Sequence, residues 1–323
     1  SNKSLCLRPE MTTSIVKLIS TRLINKKRPI RLWNNGTTFE KKDGLKNSQK
    51  LNERIQSGIE LIGYDTDFPE IEVINILFDA ADKLKLKETH NIIFLVSSTT
   101  LMDLILSKYS NKYHEDIKKY MVNLDQDSLS KLLINNEDKK ILNELLFTRG
   151  EPNKVIEKLT NIYGNNKVLK DLKYLFNTLT PIANNYDIKI QLDPTFQPHL
   201  NLYEGIVFQL ICEKNQDKTI IAKGGRYDEL VRYFNPKEQA PTGLGFSISI
   251  DNVRKLISEE NKNTDKILLV YSDKELLSKA INEQRILHKK GVIAILEINI
   301  CKDENQAKIL MEENNCTEIK WIN

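Results

Sequence analysis

The sequence is short of most features that assign a protein at sight. Its four cysteines, Cys6, Cys212, Cys301 and Cys316, lie far apart, with no CxxC pair and no histidine cluster beside them, which argues against both a disulfide framework and a zinc site. Neither a metal nor a cofactor is expected. No run approaches the roughly 20 apolar residues that cross a bilayer, and no signal peptide opens the sequence, so a soluble protein of the reducing cytoplasm is expected. Charge of one sign is not in excess: 48 basic side chains against 44 acidic ones leave +4, too even for a surface built to coat nucleic acid. No internal repeat is visible. Glycine is scarce too, 12 in 323 residues.

What is present is an ordinary globular balance, 40% hydrophobic and 28% charged, in a chain long enough for about two domains. The start, "SLCLRPEMTTSIVKLISTRL", reads as a short strand, a turn through Arg8-Pro9-Glu10 and a helix with Thr12 or Thr13 as N-cap. "PIRLWNNGTTFEKK" reads as a strand with a turn or bulge at Asn34-Asn35-Gly36. In "ERIQSGIELIGY" Ile55, Ser57, Ile59 and Leu61 share one strand face, and Gln56, Gly58 and Glu60 the other. "FPEIEVINILFDAADKL" has helical spacing, with Pro69 near its start, and "NIIFLVSS" is a buried strand.

From 99 to 186 long helical patterns alternate with polar breaks, which predicts an all-helical insertion. Strands resume at "DIKIQLDP", "LYEGIVFQLICEKN", "KTIIAKGG" and "GFSISI", so the stretches 1–98 and 187–258 form two halves of one mixed sheet. After a polar linker, residues 265–323 alternate strand and helix as a small parallel-sheet domain.

Against that scarcity of glycine, the pair in "IIAKGGRYDELV" asks for a reason. Two adjacent glycines permit positive φ or the close approach of another group, and a tight hairpin turn is the simpler reading of the pair alone. The surroundings add weight. "LRPEMTT", "SGIELIG", "LYEGIVF…AKGGRYDELV" and "PTGLGFSISIDNV", in this order, resemble histidyl-tRNA synthetase and its non-catalytic relative, the regulatory subunit of short-form ATP phosphoribosyltransferase. The resemblance runs from Leu5 to about Leu256. It implies an α+β fold, the class II aminoacyl-tRNA synthetase-like antiparallel sheet with flanking helices, and a Gly-Gly-Arg-Tyr-Asp strand that closes over a histidine pocket.

The resemblance also implies roles. Glu10 of "LRPE", Gln56 and Glu60 of "QSGIELIG", Tyr203 before "GIVF" and Tyr227 of "GGRYD" match the residues that surround histidine in the synthetase. Their chemistry suits the ligand: carboxylates take an ammonium or an imidazole N–H, and tyrosines supply hydroxyls and aromatic walls.

The departures concern phosphate. Glu40 stands where the synthetase's second motif grips the ATP α-phosphate with arginine, Pro198 replaces the catalytic arginine, and Asn252 replaces the nucleotide-binding arginine of the third motif. Adenylation needs preorganised positive charge at the transferring group. A carboxylate facing a phosphate at 4 Å instead costs roughly 4 kcal/mol per charge pair at an effective dielectric near 20. Lys41 and Lys42 are adjacent, but neighbouring strand residues point elsewhere or lack the bidentate fork. The expectation is therefore a non-catalytic regulatory subunit in histidine biosynthesis, with histidine as effector and the short-form ATP phosphoribosyltransferase catalytic subunit as partner, as a homodimer within a hetero-oligomer. The synthetase's dimer-building first motif has no counterpart before Leu5, and the carboxy-terminal piece is short for an anticodon-binding domain, so tRNA is not an expected partner. The competing readings are an active histidyl-tRNA synthetase, and a histidine sensor serving another partner.

Overall fold

The computed structural model describes residues 6–41, 51–65, 68–197, 203–237, 240–260 and 266–323. The chain divides into two units, Ser1–Arg254 and Lys255–Asn323.

The first unit is built on a seven-stranded sheet: β1 (Ile30–Lys41), β2 (Leu51–Ile62), β3 (Asn91–Ser98), β4 (Ile188–Leu192), β5 (Ile206–Lys214), β6 (Asp217–Arg226) and β7 (Gly243–Ser249), in the order β1-β2-β7-β6-β5-β3-β4. Every neighbouring pair is antiparallel except β3–β4. One sheet face carries α1 (Thr12–Thr21), whose Ile15, Val16 and Ile19 are buried against Ile30, Ile62 and Tyr227. A fully buried Ile or Val contributes roughly 1.5–3 kcal/mol, so these three anchor α1 and fix the position of its first turn. The other face carries α2 (Pro69–Lys83), where Phe78 packs edge-to-face on Phe94 of β3, which in turn meets Phe208 of β5. Between β3 and β4 the chain forms α3 (Thr99–Leu106), α4 (His114–Val122), α5 (Gln126–Ser130), α6 (Asn136–Leu146), α7 (Pro152–Tyr163) and α8 (Lys167–Asn185). The short helix α9 (Asp228–Phe234) follows β6, and α10 (Ile250–Glu260) follows β7.

Three local expectations are corrected. The stretch Asn34-Asn35-Gly36 is neither turn nor bulge: β1 pairs with β2 without a break from Ile30↔Ile62 to Lys41↔Leu51, because β2 supplies a partner residue at every rung of the ladder. Cys6 and Leu7 form no strand, although the Arg8 carbonyl accepts from the Phe39 amide at 2.9 Å. The cap of α1 is neither Thr12 nor Thr13. Both Glu10 carboxylate oxygens accept from the Thr13 amide, at 3.0 and 3.1 Å, and place negative charge at the helix start.

The second unit is a three-stranded parallel sheet, β8 (Lys266–Tyr271), β9 (Ile293–Leu296) and β10 (Glu318–Ile322), ordered β10-β8-β9. Helices α11 (Leu277–Lys289) and α12 (Glu304–Glu313) make the crossovers.

Candidate functional site

The site begins with Glu60. It faces inward from β2 and is buried, yet both carboxylate oxygens have a partner: Oε1 accepts from Thr12 Oγ1 at 2.8 Å, and Oε2 accepts from the Tyr227 hydroxyl. Burial, opposed by the hydrogen bonds from Tyr227 and Thr12 and helped by the neighbouring Glu10, holds the Glu60 carboxyl up at about 8. Tyr227, wholly enclosed, is raised well above the ordinary phenol value by the same burial and by the Glu60 charge. Tyr203 is pushed up to about 12, first by burial and then by Glu60 and Glu10. Glu10, Glu60, Tyr203 and Tyr227 are thus one electrostatic neighbourhood.

Glycines make the closeness possible. A Cβ on Gly245, the β7 partner of Glu60, would lie 2.0 Å from Glu60 Oε2. A Cβ on Gly225 would lie 2.6 Å from the Tyr203 ring, while one on Gly224 would strike Phe208 on the opposite face. The Gly-Gly pair therefore serves close approach from both sides of the strand, and neither residue has positive φ.

Gln56 stands apart. It is on the same face of β2 as Glu60 but four residues earlier, roughly 13 Å of strand away. It pairs with Gly36 and Ser249, and its amide makes no hydrogen bond among the described residues.

At that same end of β2 lie Glu40 and Asn252, two of the positions where the resemblance implies arginine. Glu40 is exposed and bound by Arg54, whose Nε reaches Oε1 at 2.7 Å, a contact diagonal across the β1–β2 ladder. Asn252 sits in the first turn of α10 and donates from Nδ2 to the Ile220 carbonyl at 2.8 Å. Its neighbour Asp251 accepts from the Ile55 amide at 2.8 Å. Pro198 and Lys42 lie outside the described residues.

Sequence reasoning missed two participants. Thr12 was read only as a cap, although its place two residues after Glu10 puts it on the exposed start of a helix pinned over β2. Arg54 was missed because only a formed ladder shows it reaching Glu40. Chemically, the Glu60 end offers two carboxylates and two phenols in little water, an arrangement that receives N–H groups and positive charge. The Glu40 end offers a neutralised ion pair and a backbone-bound amide.

Comparison with known proteins agrees with this architecture. The histidyl-tRNA synthetase family profile matches residues 1–253. An ATP phosphoribosyltransferase regulatory subunit of Prochlorococcus marinus subsp. pastoris is 64% identical over 100% of this chain and 84% of its own length. Among solved structures, an ATP phosphoribosyltransferase regulatory subunit/histidyl-tRNA synthetase from Bacillus halodurans superposes with a TM-score of 0.67 at 22% identity, over 97% of this chain and 79% of that one. An ATP phosphoribosyl transferase (HisG:HisZ) complex from Thermotoga maritima gives 0.56 at 17% identity, over 76% and 81%. Both likenesses bear on fold alone. With a buried carboxylate site on a class II sheet and close sequence identity along its full length, this chain belongs to the ATP phosphoribosyltransferase regulatory subunit family, built on the histidyl-tRNA synthetase fold.

Proposed function

We propose that the chain is a non-catalytic cytoplasmic subunit that binds free histidine at the Glu60 end of β2 and acts through a short-form ATP phosphoribosyltransferase catalytic subunit. Glu10 and Glu60 take the ligand's ammonium and imidazole N–H groups, Tyr203 and Tyr227 wall it, and Gln56 meets the end that points toward Glu40. The observation that carries the reading is the contrast within one strand face: a buried, fully partnered Glu60 at one end, and at the other a Glu40 that ties up the nearest arginine. Adenylate chemistry needs free cations at the second end, and the described residues there supply a carboxylate, a neutralised Arg54 and Asn252. The names of the close relatives support the partner, and the Thermotoga maritima complex shares the fold.

The test is reconstitution. Mixed with the short catalytic subunit from the same genome, the protein is expected to give a larger species on a sizing column, raise turnover of the transferase, and make that turnover sensitive to histidine. Separate elution with unchanged turnover would assign the pocket to a different partner.

A further inference from the structure

The opposite face of the same sheet holds a second chemical feature. Arg226 stands between Gly225 and Tyr227, so its side chain leaves β6 away from the Glu60 site. It enters a cavity of about 660 Å³ between the start of α2, the start of α8 and the ends of β3 and β5. That volume is in the range of small-molecule sites. The guanidinium donates from Nε to Asp228 Oδ2 at 2.7 Å and, at a long 3.4 Å, from Nη1 to Oε1 of the buried Glu70. It makes no other hydrogen bond among the described residues, which leaves donors directed at the cavity.

Two further observations set this cavity apart from a simple structural ion pair. Beneath the guanidinium, 5.5 Å from its carbon, lies the ring of Tyr64, a buried side chain whose hydroxyl has no hydrogen-bond partner. In the cavity wall, Phe68 adopts a left-handed backbone (φ 56), an unfavourable conformation for an aromatic residue, and its ring packs at a tilt of 35° on Tyr174 with centroids 4.4 Å apart. The rest of the lining is mixed: Leu172 and Leu175 of α8 and Ile206 are apolar, Ser98 and Thr100 are polar, and Lys167 and Asp171 neutralise each other in an ion pair at 2.6 Å.

The charges decide the ligand class. A plain anion attracted to Arg226 meets Asp228 and Glu70 beside it, and a plain cation attracted to Glu70 meets Arg226. A molecule carrying both charges satisfies both groups, and an apolar side chain covers the Leu172, Leu175 and Ile206 part of the wall. We propose that this cavity binds a free α-amino acid with an apolar side chain, its carboxylate on Arg226, its ammonium on Glu70 and its side chain against Phe68, Leu172 and Leu175. The inference is independent of histidine binding on the other face.

The probes are L-leucine and L-phenylalanine, titrated calorimetrically into the full chain, with isovalerate and isoamylamine as analogues carrying one charge each. Both amino acids are expected to bind, and each analogue at least tenfold more weakly. Glu70→Gln removes the ammonium partner, and Val168→Trp puts a bulky ring into the cavity wall at the start of α8 while leaving Arg226 and Glu70 in place. Each should weaken leucine binding more than tenfold while the melting temperature and the histidine titration stay as in wild type. Glu60→Gln should leave leucine binding unchanged. The proposal is overturned if neither amino acid binds at millimolar concentration, if a single-charge analogue binds as well, or if leucine binding survives Glu70→Gln and Val168→Trp but vanishes in Glu60→Gln.

Discussion

Glu60 and Glu40 share one face of the β1–β2 ladder, and their surroundings have little in common. Around Glu60, α1 is clamped down by Ile15, Val16 and Ile19, glycine backbones close in from β7, and the carboxylate is dry and doubly hydrogen-bonded. Around Glu40 the ladder is open to solvent and the carboxylate holds Arg54, with the pair's side chains 53% and 30% exposed. An exposed pair of that kind contributes about 0–1 kcal/mol. Buried polar groups are committed by packing, so a change at Glu60 is costly, whereas a change at the exposed Glu40–Arg54 pair removes little.

The largest expected effect is therefore at Glu60. Glu60→Ala is expected to lower histidine affinity by more than tenfold, about 1.4 kcal/mol, read by titration calorimetry, because the ligand's ammonium and N–H groups lose their charged partner. Glu10→Ala is expected to lose affinity similarly and also to lower the melting temperature, since its carboxylate caps α1 and a lost cap costs about 0.5–2 kcal/mol. Normal histidine binding in both variants would move the effector site off this face.

Next in size is a pH effect. Glu60 is held up at about 8 in the folded chain, against about 4.3 in the unfolded chain. Its contribution to stability is thus complete below about pH 4 and is lost as pH rises through 8. Melting curves of wild type should fall over that window relative to Glu60→Gln, which carries no titrating group there. The ligand's ammonium wants the ionised carboxylate, so histidine affinity should rise between pH 6 and 8, by up to tenfold per unit, with a proton released from Glu60 on binding. Calorimetry in two buffers of different ionisation enthalpy reads that proton, and identical heats would show that Glu60 is already ionised or does not touch the ligand.

The smallest effect is expected at the other end. Glu40→Ala and Asn252→Ala should leave histidine affinity within twofold, and wild type should show no histidine-dependent exchange of pyrophosphate into ATP. Exchange above a protein-free blank would erase the contrast between the two ends.

Much of this was legible before any coordinates. The period-2 pattern in "ERIQSGIELIGY" put Gln56 and Glu60 on one face, and "FPEIEVINILFDAADKL" declared α2, because strong periodicity reflects which face packs and little else competes with it. The start of the chain was harder. Asn34-Asn35-Gly36 has turn composition but lies in an unbroken ladder, since β2 offers a partner at every rung and pairing outweighs local propensity. Thr12 looked like a cap and became a ligand of Glu60, a contact across 48 residues that no local pattern encodes.

The sequence by itself determined the order of most strands and helices, the carboxylates and phenols available to the proposed site, and the presence of Glu40, Pro198 and Asn252 where the resemblance implies arginine. Those are properties of identity and spacing along the chain. Only the tertiary structure decided that Glu60 is dry, that Arg54 is spent on Glu40, that Gln56 stands well down the strand, and that Arg226 faces a separate cavity with Glu70. Each of these depends on which groups exclude water from which others, and that is set by packing between segments distant in the chain.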